Sequence, residues 1–325
     1  MFWQWFVRII AHQYLPFRTA KVRQDFLLRK YMLIFLCIFL LKTENRRTFA
    51  SGIYIRYNEG YDMKRSLSLF SLVLFFTVCF SSSVWAWGQK GHRIVAQVAY
   101  QYMSKRAIKQ VDKVLGKHGM VYWSNWPDEI KSDTELHQTS FSGYYQDLPG
   151  GLTDEDVLRT LTDYPTHGGN LWRLRDSVLQ VLRTHPSDHD ALVFLVHLTG
   201  DSYCPMHLGH EDDLGGNKVK MRWFGEKTNL HRVWDQNLIE SQGYSYTEYA
   251  QYLCDKFVAE RQPTEEATVE QMVLDTYHLT QLIYSYQNDF DGSTYHYIYR
   301  WHTDCERQLY RAGVRLAKIL NDLYR

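Results

Sequence analysis

One segment, Ala191-Leu-Val-Phe-Leu-Val-His-Leu-Thr-Gly-Asp201, constrains the chain more than any other. Its apolar stripe (Val193, Phe194, Val196, Leu198) marks a buried helix, with Ser187 as the expected N-cap. The same helix carries His197 and Asp201, four residues apart and therefore on one face. A buried carboxylate is strongly disfavoured unless a cation meets it. His231-Arg-Val-Trp-Asp235 repeats the spacing, and His207 lies between the two pairs, just past the expected helix end at Pro205. A single H-x-x-x-D on a helix is commonly a surface ion pair. Two within 40 residues, with a third His between them, point instead to a metal. Imidazole plus carboxylate suits Zn²⁺ well.

The rest of the chain after Trp87 also carries helical periodicity. Ile94, Val95, Val98, Ala99 and Met103 form one apolar stripe. Ile108, Val111, Val114 and Leu115 form another, with Gly119 as its expected end, and Leu171, Leu174, Val178, Val181 and Leu182 form a third. The last 20 residues carry Leu309, Ala312, Val314, Leu316 and Leu320 at helical spacing. Asn217–Phe224 alternates instead and sits between glycines, which predicts a short hairpin or extended loop. With no internal repeat and no linker composition, residues 87–325 are expected to form a single all-α domain.

Residues 63–86 read as a secretory signal peptide. Lys64 and Arg65 precede an apolar run from about Leu67 to Phe80, and small residues lead to Val84-Trp85-Ala86. The run is shorter than the roughly 20 apolar residues of a spanning helix. The expected location is therefore secreted or periplasmic, with cleavage between Ala86 and Trp87. Residues 1–62 are then either an upstream over-reading, with translation starting at Met63, or an extended leader.

The division changes the meaning of the net charge of +1. Residues 1–86 hold 12 Lys+Arg against 4 Asp+Glu, leaving 25 basic and 32 acidic side chains for 87–325. The domain itself is acidic, by 7 charges. Of five cysteines it keeps Cys204, Cys254 and Cys305, too few for a disulfide scaffold, although one pair could bond in an oxidising compartment. No N-x-S/T sequon is present.

Further motifs accompany the two His–Asp pairs. Trp87-Gly-Gln-Lys-Gly-His92 opens the domain, and Trp126-Pro127-Asp128 follows. HLTGD at 197–201, CPMHLG at 204–209, DLGGN at 213–217, WFGEKTNLH at 223–231 and VWD at 233–235 complete the set. In kind, order and spacing these resemble the S1/P1 nucleases over essentially all of 87–325, and the leader and the Cys204-Pro205-Met206-His207 segment look like those of bacterial members. The resemblance implies the all-helical phospholipase C/P1 nuclease fold and three zinc ions in one cleft. It implies that Trp87, through its amino nitrogen and carbonyl oxygen, and His92 hold one zinc. Asp201 bridges that zinc to a second, which His197 and Asp128 also hold, and His207, His231 and Asp235 hold the third. Trp87 can serve in this way only if it becomes the N-terminus.

One position departs. The family expects a His where Gly143-Tyr144-Tyr145-Gln146-Asp147 places Tyr144. Tyr144 could ligate as phenolate, a water or His137 could substitute, or the second zinc could bind weakly, so two to three ions are expected.

The implied activity is hydrolysis of phosphodiester bonds in single-stranded DNA and RNA, leaving 5′-phosphates, with 3′-nucleotidase activity. Clustered zinc would activate water, clamp the phosphate and neutralise developing charge. It would also supply the positive charge that an acidic domain needs to attract an anion. Asp128 would orient the attacking water and Lys131 would assist on the phosphate. Tyr145 and Asp147 match positions that stack on a base and hydrogen-bond its edge, which favours unpaired strands. Substrates are then single-stranded nucleic acid or 3′-nucleotides, with no stable protein partner and a monomeric state. The rivals are a zinc phospholipase C-like phosphodiesterase, whose last ligand is typically Glu rather than Asp235, and a catalytically impaired zinc- or nucleotide-binding exoprotein. His278, His296 and His302 lie in the aromatic C-terminal region and read as packed or surface histidines rather than a fourth metal site.

Overall fold

The computed structural model describes residues 87–131, 141–163 and 169–325. The leader assignments for 1–62 and 63–86, and His137, lie outside them. Eight helices of ten residues or more carry the described fold. They are α1 (Gln89–Tyr102), α2 (Lys105–Leu115), α3 (Asp154–Asp163) and α4 (Leu171–Thr184). After them come α5 (His189–Asp201), α6 (Tyr246–Lys256), α7 (Val269–Gln287) and α8 (Thr294–Leu323). The all-α expectation holds. None of the described helices is long and apolar enough to cross a membrane.

The only sheet among the described residues is a hairpin, β1 (Lys220–Trp223) and β2 (Glu226–Asn229), paired antiparallel. It extends past the expected segment because the turn is Phe224-Gly225, both at positive φ, as a tight two-residue hairpin turn requires.

Helix ends follow local chemistry, with two differences from the sequence expectation. Asp188, not Ser187, caps α5: its Oδ1 accepts from the Ala191 backbone N–H at 2.9 Å. Helix α2 ends at Gly116 (φ 70°), and Gly119 (φ 63°) comes only after an intervening 3-10 turn. Ser245 and Thr268 close capping boxes with Glu248 and Gln271 at the starts of α6 and α7.

The core gathers on the long C-terminal helix. Helix α1 packs on α8 and α6, and α5 packs on α4, α8 and α1. Leu309, Ala312, Val314, Leu316 and Leu320 of α8 are all buried, as the terminal stripe predicts. Trp234 and Trp301 meet edge to face at 5.7 Å, and Trp234 Nε1 donates to the Tyr297 hydroxyl. Cys204, Cys254 and Cys305 are buried free thiols, so the bonded pair that was open on sequence is not formed. Of the three C-terminal histidines, His278 pairs with Asp154, His296 with Asp291, and His302 bonds the Ile298 carbonyl. None joins a metal-type cluster among the described residues.

Close approach of α1 and α8 rests on Gly313. A Cβ there would lie 2.5 Å from Val98 Cβ and 2.9 Å from the Val95 carbonyl oxygen. Gly313→Ala is expected to destabilise the protein by about 1–3 kcal/mol through overpacking, partly offset by the ~1 kcal/mol helix preference of Ala. Urea unfolding midpoints measure the difference.

Candidate metal centre

Helix α5 delivers the first two donors. His197 and Asp201 project from one face, both fully buried, and the imidazole Nε2 lies 3.2 Å from Asp201 Oδ2. Helix α1 contributes His92, whose ring stacks on His197 with centroids 4.0 Å apart and whose Nε2 sits 3.4 Å from Asp201 Oδ1. This approach explains the glycine of HLTGD. A Cβ on Gly200 would meet the His92 ring at 3.0 Å. The short helical turn Trp126–Glu129 brings Asp128, with Oδ1 3.5 Å from His197 Nε2. Trp87 is completely buried, and its indole N–H donates to the Gly200 carbonyl at 2.6 Å, which fixes residue 87 against α5.

The second lobe comes from the segment after α5 and from a widened helix. His231 lies in a short helix, Leu230–Arg232, that broadens into a π-turn over Val233–Asn237, and this turn carries Asp235. Such turns recur where a side chain must be re-aimed. His231 Nε2 lies 2.9 Å from Asp235 Oδ2, and His207 Nε2 lies 3.6 Å from Asp235 Oδ1. His207 Nδ1 lies 3.8 Å from Asp201 Oδ1 and links the two lobes.

Backbone carbonyls fix three of the rings. His197 Nδ1 bonds the Ser124 carbonyl at 2.9 Å, His207 Nδ1 the Tyr144 carbonyl at 2.5 Å, and His231 Nδ1 the Gly215 carbonyl at 2.7 Å. A carbonyl oxygen only accepts, so each Nδ1 carries hydrogen, and when the ring is neutral its Nε2 keeps the lone pair. This arrangement is typical of metal-ligating histidine. The DLGGN loop provides the last carbonyl. Leu214, Gly215 and Gly216 all take positive φ, and Gly216 N donates to Asp213 Oδ1 at 2.6 Å.

The donor atoms fit a metal better than they fit one another. Both Asp201 oxygens, both His92 nitrogens, Asp128 Oδ2 and His207 Nε2 are buried without an aligned hydrogen bond. Leaving carboxylates so would be costly without a cation. Most of their separations, 3.2–3.8 Å, exceed an N–H···O bond. They match the edge of a tetrahedron with bonds near 2.0–2.1 Å, about 3.3 Å. Two buried groups, His92–His197–Asp201 and Cys204–His207–Asp235, have the geometry to hold an ion.

Electrostatics point the same way. Burial, then the neighbouring His197 ring, push His92 down to about 3, so it is a neutral donor. Burial opposes charge on His197 as well, but Asp201 and Asp128 outweigh it and raise that ring to about 10. The carboxylates favour a cation between them, and in its absence a proton on His197 and the Lys131 ammonium beside Asp128 supply positive charge. Asp235 is held below the ordinary carboxylate range, since His231 and His207 overcome the opposing effect of burial.

Each expected site residue can be located. Lys131 Nζ lies 2.5 Å from Asp128 Oδ1 and 4.6 Å from the Tyr144 ring centre, beside the candidate donors. Tyr144 is buried edge-on to His197 at 5.3 Å, and its hydroxyl donates to the Pro127 carbonyl at 3.2 Å. That bond requires a protonated phenol. The following residues run extended beside the His207 segment, with Gln146 N donating to the His207 carbonyl and Leu148 N to that of Gly209. Tyr145 is half-buried on this strip. Asp147 is buried, and burial, with Asp213 and Glu211 adding and His231 opposing, raises its carboxyl to about 8.

The family described as S1/P1 Nuclease matches residues 87–325. This chain belongs to the S1/P1 nuclease family. It is 28% identical to Endonuclease 3 of Arabidopsis thaliana over 263 residues, covering 73% of this chain and 89% of that protein. It is 27% identical to Endonuclease 4 of the same plant, covering 78% and 94%. Nuclease S1 of Aspergillus oryzae shares 28% identity over 53% of this chain and 61% of its own length. The S1/P1 match begins at Trp87, the residue where the buried site begins.

Sequence reasoning missed one contributor in this S1/P1 site. Cys204 Sγ, fully buried, donates to Asp235 Oδ1 at 3.0 Å. Burial, then the Asp235 charge, raise its thiol well above the usual value, so it acts as a neutral donor. The available signal was its place three residues before His207 in CPMH. Cys204→Ala is expected to weaken metal retention about tenfold, by analogy with other groups that orient ligating carboxylates. Competition with a calibrated chelator reads this directly.

Proposed function

We propose that the chain is a zinc-dependent nuclease that cleaves single-stranded DNA and RNA to 5′-phosphate products and also removes 3′-phosphates from nucleotides. The observation that carries this reading is the convergence of His92, Asp128, His197, Asp201, His207, His231 and Asp235 on one buried, cation-demanding centre. The names of the relatives, endonucleases and a nuclease, support the reaction class. In this proposal His92 and the main-chain nitrogen and oxygen of Trp87 would hold one zinc, Asp128, His197 and Asp201 would serve a neighbouring one, and His207, His231 and Asp235 would hold a third. Zinc bound there lowers the pKa of water and neutralises phosphate charge.

The chain's own groups then do the rest. Asp128 Oδ2, without a hydrogen-bond partner, accepts from the attacking water and orients it. The Lys131 ammonium, already beside Asp128, meets a phosphate oxygen as a point charge. The Tyr145 ring stacks on a base of any kind, and Asp147 bonds the base edge, which a paired strand cannot present. Tyr144, with its proton on the Pro127 carbonyl, adds no charged ligand, so the second zinc is the weaker one.

A free Trp87 amino group demands cleavage after Ala86. The proposed protein is therefore exported, with 63–86 as its signal. The start of the family match at residue 87 supports this division.

Residues 87–325 with an authentic Trp87 N-terminus test the proposal. Zinc-loaded protein is expected to hydrolyse single-stranded DNA, RNA and 3′-AMP but not a phosphatidylcholine analogue, and to lose this activity to a chelator. Absence of hydrolysis with zinc bound defeats the enzyme claim. Lys131→Ala is expected to lower kcat/KM about 10²-fold, the scale for one preorganised charge donor. Tyr144→His is expected to raise zinc content toward three per chain, counted by elemental analysis.

A further inference from the structure

The helix that carries the metal donors has a second, polar face. Thr199 of α5, with Ser202 and Tyr203 just past its end, lines a cavity of about 210 Å³ also bounded by residues of α4, α7 and α8. Three arginines line it: Arg175 and Arg183 from α4, and Arg315 from α8. Leu179, Met272 and Ile319 supply apolar wall.

Two of the guanidinium groups are held in place by the protein. Arg175 is buried, bonds Asp176 Oδ1 through Nε and Nη2, and lies over the Trp172 ring at 5.5 Å. Arg315 Nη1 donates to the Ala267 carbonyl at 2.7 Å. Arg183 stands exposed at the rim. The lining has one acid, Asp322, and that carboxylate is already matched by Lys318 and Arg325. Glu270 and Asp275 lie in the surroundings, as does Arg311. Cationic charge therefore exceeds anionic charge on the lining itself.

An independent observation marks the cavity as a ligand site. Tyr203 is 96% buried (4% exposed), lines the cavity, and its hydroxyl has no hydrogen-bond partner among the described residues. Its backbone is fixed instead, through the Gln308 amide on the Tyr203 carbonyl at 3.0 Å. Burial raises the phenol to about 12 while Arg315, Arg311 and Arg175 pull against that rise, so it stays a neutral donor beside three cations. Donors that are all N–H or O–H, with guanidinium forks among them, select an anion with several acceptor oxygens.

We propose that this cavity binds a phosphate dianion, free or as a small organic phosphate, with Arg175, Arg183, Arg315 and Tyr203 as its donors. The site is separate from the metal centre and takes its phosphate without metal. The apolar wall beside the arginines favours the organic form.

Equilibrium dialysis of the zinc-loaded protein that begins at Trp87 against labelled inorganic phosphate tests the proposal. Two binding phases are expected, one removed by chelator and one resistant to it. Arg183→Gln, at an exposed position with no bond to another described residue, and Tyr203→Phe are each expected to weaken the resistant phase about tenfold or more. Hydrolysis of single-stranded DNA should stay unchanged in Arg183→Gln. Displacement of the resistant phosphate by 5′-AMP at lower concentration than by unlabelled phosphate identifies the organic form; the reverse order identifies free phosphate. Absence of a chelator-resistant phase, an adventitious weak phase unaffected by either substitution, or equal binding in both variants overturns the site.

Discussion

The burial of Asp201 at the end of α5 is the constraint on which the rest depends. Its two oxygens have no aligned hydrogen-bond donor, yet they lie at the centre of three imidazoles from three parts of the chain. A charge in that position is tolerable only with a cation. Gly200 leaves room for the His92 ring, which a Cβ there would approach to 3.0 Å. Trp87 is anchored to the same residue through the Gly200 carbonyl. The opening of the domain and the middle of its buried helix are thus tied to one requirement.

Around that centre the fold supplies rigidity through main-chain groups. The carbonyls of Ser124, Tyr144 and Gly215 orient three histidines, and each carbonyl sits in a turn or loop rather than in a long helix. The loops explain motifs that otherwise look incidental. DLGGN is a left-handed run that turns Gly215 toward His231, and a Cβ on Gly215 would lie 2.8 Å from Asp147. One glycine therefore serves both the metal lobe and the proposed base contact. Cys204 plays a similar double part, closing the segment after α5 and bonding a ligand carboxylate.

Much of the centre was legible because its chemistry is local. His197 with Asp201, and His231 with Asp235, are i,i+4 pairs, and helix geometry alone brings such pairs together. The all-α class followed from apolar periodicity in α1, α2, α4, α5 and α8. Helix boundaries were less legible, since Ser187 and Asp188 are both capping residues and only the reach to the Ala191 N–H separates them. The motifs also carried His92, Asp128 and Tyr144 to their places by resemblance, though periodicity says nothing about which distant residues meet.

By itself, then, the sequence determined helical class, the two His–Asp pairs and the need for a cation beside Asp201, because each is fixed within a few turns of one helix. Only the tertiary structure decided how the pairs join. His92 stacks on His197 because α1 and α5 pack together, and His207 reaches both Asp201 and Asp235 because a π-turn and a 3-10 turn converge. Three cysteines that could have paired stay apart as buried thiols, one of them on Asp235. Arg175, Arg183, Arg315 and Tyr203, unremarkable in the sequence, line one cavity on the far side of α5. Contacts between residues separated by tens to hundreds of positions depend on how helices pack, and no local spacing encodes them.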